Sequence, residues 1–221
     1  MSANSQVARN QSKQTFGSMY EALQPSSTIS GQHFVEWFSG NSLPSYWTTT
    51  NINGTNTYAM SDSVDGGFSI STAGADSNSG TINFNNLRPF SPTGAVCISV
   101  WKKDISNAAG QSGFANTISA MYPTTECALV RNGVETNIAL QTADATTSSV
   151  TQSNVAKDQT FHSYKIENGS TDIKLTIDGV FELTKTTNRP TVKLQPRIGV
   201  QKRSGAGTTV INITYCEAYN T

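Results

Sequence analysis

Charge is scarce in this chain: Asp, Glu, Lys and Arg make up 14% of its 221 residues, and 15 basic side chains balance 15 acidic ones. Zero net charge lacks the electrostatic footprint of a nucleic-acid binder, and the cationic stretch from Lys185 to Arg203 has no interleaved aromatics. Histidine occurs only at His33 and His162, and the cysteines, Cys97, Cys127 and Cys216, are widely spaced without a CxxC pair. A transition-metal site is therefore not expected, and the thiols read as reduced and buried. Asp62, Asp65 and Asp76 do not match the spacing of a calcium loop. No Gly-x-Ser-x-Gly elbow is present, and Gly205-Ala206-Gly207 lacks the third glycine of a dinucleotide fingerprint. No cofactor is expected. No apolar run approaches the roughly 18 residues of a membrane span, and Met1 to Gln14 contains no apolar core of a secretory signal.

Ser, Thr, Asn and Gly occupy the polar positions, a mixture poor for helices and good for strands and turns. The C-terminal sixty residues read as four consecutive strands. Ile173, Leu175 and Ile177 alternate with Asp172, Lys174, Thr176 and Asp178. Val192, Leu194, Ile198 and Val200 oppose Lys193, Gln195 and Arg197, and Ile211, Ile213 and Tyr215 repeat the pattern. Side chains on a strand alternate between faces, so each segment is expected to place an apolar row on a core and a polar row in water. A sheet with one wet face is a recognition or assembly surface.

Upstream, strand candidates recur at Phe34–Phe38, Phe68–Thr72, Thr81–Asn85, Ala95–Lys102, Ala115–Met121, Cys127–Arg131, Asn137–Gln141 and Phe161–Glu167. Asn53-Gly54, Asn132-Gly133, Asn168-Gly169 and Asp178-Gly179 mark turns between strands. Ala143 to Asn154, rich in Thr and Ser, reads as a loop or a weak edge strand. Many short strands with Gly-rich turns predict an all-β fold, a two-sheet antiparallel β-sandwich over residues 31–221. Residues 1–30 differ. They form a polar N-terminal arm in which Phe16, Met19, Tyr20 and Leu23 share one face of a short amphipathic helix. Those four side chains are the expected assembly contacts.

From Thr160 onward the order of signals resembles the concanavalin A-like lectin and glucanase superfamily. The series is Phe161-His162-Ser163-Tyr164-Lys165-Ile166-Glu167, Ile173 to Ile177, the Asp178-Gly179 turn, a strand with Phe181 and Leu183, Arg197-Ile198-Gly199-Val200, and Ile211-Asn212-Ile213-Thr214-Tyr215. Phe34-Val35-Glu36-Trp37-Phe38 followed by Tyr46-Trp47 is similar to the entry of these modules. The resemblance implies a jelly-roll sandwich over residues 33–219. Glucanases of the superfamily carry paired carboxylates in a Glu-x-Asp-x-x-Glu pattern, and here no Glu lies between Glu36 and Glu126. The resemblance therefore implies the scaffold without the hydrolase, no catalytic residue is nominated, and the chain is expected not to be an enzyme.

Two function classes compete, with glycoside hydrolysis as a third and weaker reading. The polar arm, low charge and missing catalytic set favour a structural component of a virion. It would be a capsid decoration or cement protein, assembled in the host cytoplasm with other shell subunits as a homo-oligomer or lattice. The resemblance and the tryptophans favour a carbohydrate-binding lectin module. An exposed indole stacks on the apolar face of a sugar ring, and Trp37 and Trp47 are the candidates. At most one tryptophan is expected to be exposed, because Trp101 sits in an apolar strand and Trp47 also fits a core position. His162, on a strand with Tyr164 and Ile166, reads as a satisfied structural histidine.

Overall fold

A computed structural model describes residues 33–39, 41–60, 67–85, 87–104, 108–204 and 207–221. The arm of residues 1–30, with Phe16, Met19, Tyr20 and Leu23, lies outside the described residues. Within them the chain forms fifteen strands and no helix: β1 His33–Glu36, β2 Thr48–Asn53, β3 Asn56–Met60, β4 Phe68–Thr72, β5 Ser79–Asn83, β6 Ala95–Lys103, β7 Ala108–Ala115, β8 Cys127–Asn132, β9 Asn137–Ala143, β10 Ser148–Ala156, β11 His162–Asn168, β12 Ile173–Ile177, β13 Val180–Lys185, β14 Gln195–Lys202 and β15 Thr209–Asn220. One sheet runs β13-β12-β11-β6-β15-β4-β3, with β1 also on β15, and the other runs β10-β9-β8-β7-β14-β5-β2. Every strand pairing is antiparallel. The architecture is a two-sheet antiparallel β-sandwich of the jelly-roll type.

Local chemistry explains the clearest parts. At Asp178-Gly179 both residues have positive φ, 50° and 80°, the conformation that a two-residue hairpin turn needs and that Asp and Gly tolerate. This turn joins β12 to β13. In β12, Ile173, Leu175 and Ile177 are buried while Lys174 is exposed, so the period-2 reading holds. It holds in β15 as far as Ile213, with Ile211 and Ile213 buried and Asn212 half-buried, but Tyr215, expected in the same row, comes after a register shift and lies half-buried on the outer face.

The core lies between the sheets and is densely aromatic at one end. Phe84 packs edge-on against Phe34 at 4.6 Å and against Trp47 at 4.8 Å between ring centroids. Full burial of such side chains contributes about 1.5–3 kcal/mol each. At the centre, the fully buried Trp101 donates from Nε1 to Ser112 Oγ at 2.8 Å, and Ser112 also bonds Ser99 at 2.7 Å. The indole lies on Gly110, where an added Cβ would come within 2.3 Å of its ring. Cys97, Cys127 and Cys216 are free and buried, and burial pushes the Cys127 thiol up to about 12.

Two expectations need correction, and one open pair of readings is decided. Ala115–Met121 is not a strand; the strand is β7, and residues 116–126 form an irregular segment crossing the sheet. Of the two readings of Ala143–Asn154, the edge strand is the one found, as β10 paired with β9. The polar row of β14 is not wet: Gln195 and Arg197 are both 0% exposed. The eight-stranded sheet has the half-wet face foreseen from the alternation, whereas the centre of the seven-stranded sheet is buried on both sides.

Candidate functional site

The second buried face of the seven-stranded sheet is polar. On β7, β8 and β14 the residues Phe114, Val130 and Ile198 point into the core. Alternation sends Gln111, Arg131 and Arg197 to the opposite side. Gln111 stands directly across from Arg131 on one neighbour and from Gly199 on the other. Gln141 from β9 and Gln195 from β14 extend the row. All five polar side chains are at most 8% exposed.

Residues 116–126 cover them. Arg197 donates from Nη1 to the Thr117 carbonyl at 3.2 Å and from Nη2 to the Ala120 carbonyl. Gln141 Nε2 donates to the Pro123 carbonyl at 2.7 Å, and Gln195 Nε2 to the Asn116 carbonyl at 3.4 Å. The Arg131 guanidinium stacks over the Tyr122 ring at 4.2 Å and pairs with Glu135 at 2.9 Å.

Several polar atoms in this layer have no hydrogen-bond partner among the described residues. They are both amide atoms of Gln111, the Tyr122 hydroxyl, Nε of Arg131 and of Arg197, and one Glu135 oxygen. Native proteins pair nearly all buried polar groups, and leaving one unpaired costs about 1–3 kcal/mol. Arg197 has no carboxylate partner among the described residues, and burial lowers its guanidinium to about 10. Burial also raises the Tyr122 phenol, against the opposing pull of Arg131, Arg203 and Arg197. Guanidinium forks donate, while carboxamides both donate and accept, and here they stand in a row on a rigid sheet. That set matches a ligand rich in hydroxyl groups.

Carboxylates are placed differently. The outward residues of β8 are Cys127, Leu129 and Arg131, so this strand carries no carboxylate pair. Glu126, just before it, accepts from Thr191 N at 2.6 Å, Thr191 Oγ1 at 2.7 Å and Val192 N at 3.3 Å, which ties residues 191–192 to the sheet. Asp104 accepts from Val210 N at 2.8 Å beside the other sheet. His162 is held between Asp178 at 2.5 Å and Asp158 at 2.9 Å. Burial lowers the imidazole pKa and the two aspartates raise it, with a net increase, as suits a satisfied structural histidine. No group of three or more metal-ligating side chains converges among the described residues.

The tryptophans divide cleanly. Trp101 is 0%, Trp47 4% and Trp37 53% exposed. Trp47 is therefore corrected from a stacking candidate to a core residue, packed against Phe34 and Phe84. Trp37 remains on the surface, on the outer side of the eight-stranded sheet. The polar row on the other sheet was missed in the sequence; the signal available was Gln195 and Arg197 at alternate positions of β14.

No protein-family model and no curated protein sequence matches the chain. Solved structures share its fold. A Bacillus licheniformis β-glucanase superposes with TM-score 0.59 at 13% identity, over 86% of this chain and 98% of that one. An endo-acting O-glycanase of the human gut microbiota gives TM-score 0.63 at 10% identity, over 85% and 98%. The Emp47p carbohydrate recognition domain gives 0.59 at 9% identity, over 85% and 94%. These neighbours are named as a glucanase, an O-glycanase and a carbohydrate recognition domain, and none as a virion component, which overturns the expectation of a virion structural role. They also overturn the expectation that the chain is not an enzyme, because such neighbours are mostly enzymes. Absence of one carboxylate signature excludes one catalytic arrangement and no more.

Proposed function

We propose that this chain is a carbohydrate-binding β-sandwich protein in which a saccharide binds the polar face of the seven-stranded sheet in place of the residues 116–126 that cover it. One observation carries the reading: Gln111, at the middle of that face, is fully buried with neither amide atom partnered. Arg131 and Arg197 flank it in the same layer, with Gln141 and Gln195 beyond them. The carbonyls of Thr117, Ala120 and Pro123 hold Arg197 and Gln141 as hydroxyl oxygens of a sugar would. The fold shared with a carbohydrate recognition domain and with glucanases supports the same ligand class.

The test is an array of immobilised β-1,3-glucan, β-1,3-1,4-glucan and mucin O-glycans, followed by titration of any saccharide that is retained. The expected result is retention of at least one class, weakened about tenfold or more by Arg197→Met, since a lost charge-assisted hydrogen bond is worth about 1.5–3 kcal/mol. Unchanged affinity in a folded Arg197→Met protein contradicts the site. Release of reducing ends in the same samples decides whether the bound saccharide is also cleaved.

A further inference from the structure

The outer face of the eight-stranded sheet carries an aromatic cluster that the polar face of the opposite sheet does not explain. β1 ends at Glu36, and the next two residues part company. Phe38, at φ 46°, turns into the core and stacks on Phe68. Trp37 goes outward and stays half-exposed. The Glu36 carboxylate fixes this bend by accepting from Phe38 N at 2.8 Å and from the Tyr46 hydroxyl.

Trp37 is backed rather than free. Its ring packs on Tyr215 with centroids 4.5 Å apart. Tyr215 follows an irregularity in β15, where pairing with β6 jumps from Ile213–Trp101 to Tyr215–Val100. Bulges of this kind re-aim a side chain. The Tyr215 hydroxyl donates to Glu217 Oε2 at 2.5 Å, and Glu217 Oε1 meets His33 Nε2 at 2.7 Å. His33 in turn stands edge-on to Tyr219. Indole, phenol, carboxylate and imidazole thus form one connected surface.

Beside it on the same face lie the half-buried Val35 on β1 and Ile98 and Val100 on β6, together with Lys165 paired to Glu167 at 2.9 Å on β11. A protein interface needs a fully desolvated apolar centre, and the aromatic rings here are edged by the Glu217 carboxylate and the His33 imidazole. A single sugar ring does not: its C–H face covers an aromatic ring while its hydroxyls reach acceptors at the rim. We infer that Trp37, backed by Tyr215 and rimmed by Glu217 and His33, is a second saccharide platform, on the sheet opposite the first. The inference shares the ligand class of the proposed function and none of its residues.

Of the three tryptophans, Trp37 alone is exposed, so a ligand-induced change in indole emission that is absent from Trp37→Phe is assigned to it, and the affinity of each variant is read by calorimetry. The same β-glucan and mucin O-glycan panel is titrated into the full chain and into Trp37→Ala, Trp37→Phe and Gln111→Met, with circular dichroism confirming each fold. A shift of wild-type fluorescence on binding is expected. Trp37→Ala should bind about tenfold more weakly at this platform, with partial recovery in Trp37→Phe, because an aromatic face supplies the contact. Gln111→Met should keep the fluorescence response. If saccharide binds without a fluorescence change and Trp37→Ala matches the wild type, the platform is refuted while the polar face stands. If Trp37→Ala alone loses all binding, the platform stands and the polar face falls. Retention of no saccharide overturns both.

Discussion

Replacing Gln111 with methionine is expected to stabilise the protein and to abolish saccharide binding at the polar face. The two effects share one cause. In the free chain both amide atoms of Gln111 are buried without partners, so an apolar side chain of similar length removes a penalty of about 1–3 kcal/mol. For a domain of this size, that corresponds to a rise of about 2–12 °C in the melting temperature. Exchanging the amide for a thioether removes the donor and acceptor that a saccharide hydroxyl would use. Thermal unfolding and titration against the best array ligand check the pair. A variant that is destabilised, or that binds normally, contradicts the assignment of Gln111 to a site. Residues kept for function at the expense of stability behave in this opposed way.

The second large effect lies in the core. Trp101→Ala is expected to cost about 3–5 kcal/mol, because a fully buried indole leaves a cavity and Ser112 loses one of its two hydrogen bonds. Gly110→Val is expected to cost about 1–3 kcal/mol or more by overpacking, since its Cβ would fall 2.3 Å from the Trp101 ring. The double variant should be less destabilised than the sum, with a coupling of about 0.5–3 kcal/mol, because removing the indole makes room for valine. Denaturant unfolding of the three variants measures this. Strict additivity would mean that the contact with Trp101 is not what requires glycine at 110.

These two predictions also mark what was legible in the sequence. The Asp178-Gly179 turn and the alternation of β12, and of β15 as far as Ile213, depend on local chemistry, and both were readable. β7 was not: Ala108-Ala109-Gly110-Gln111-Ser112-Gly113 has none of the β-branched or aromatic residues that signal a strand. Its small residues make room instead for Trp101 on one side and, at Gly113, for the Ala128 carbonyl on the next strand. β2, with the sequence Thr-Thr-Thr-Asn-Ile-Asn, was equally silent, as an edge strand made largely of polar residues tends to be. In β14 the alternation was visible, but Gln195 and Arg197 read as solvated because nothing local marks residues 116–126 as their cover. That segment itself reads from the sequence as the strand Ala115–Met121. Burial of a polar row is a tertiary fact, and so is the exposure of Trp37 beside the burial of Phe38, which turns on one positive φ. The absence of a carboxylate signature is a local fact, and the expectation of no enzymatic activity drawn from it went further than a local fact allows.

The most direct test of the polar face is the side-chain amide signal of Gln111 in a nitrogen–proton NMR spectrum, assigned by its disappearance in Gln111→Met. Titration with a saccharide retained on the array should shift or broaden that signal in step with binding, ahead of the amide of the partly exposed Gln201 further along β14. A Gln111 amide that stays in place at saturating saccharide would contradict the site.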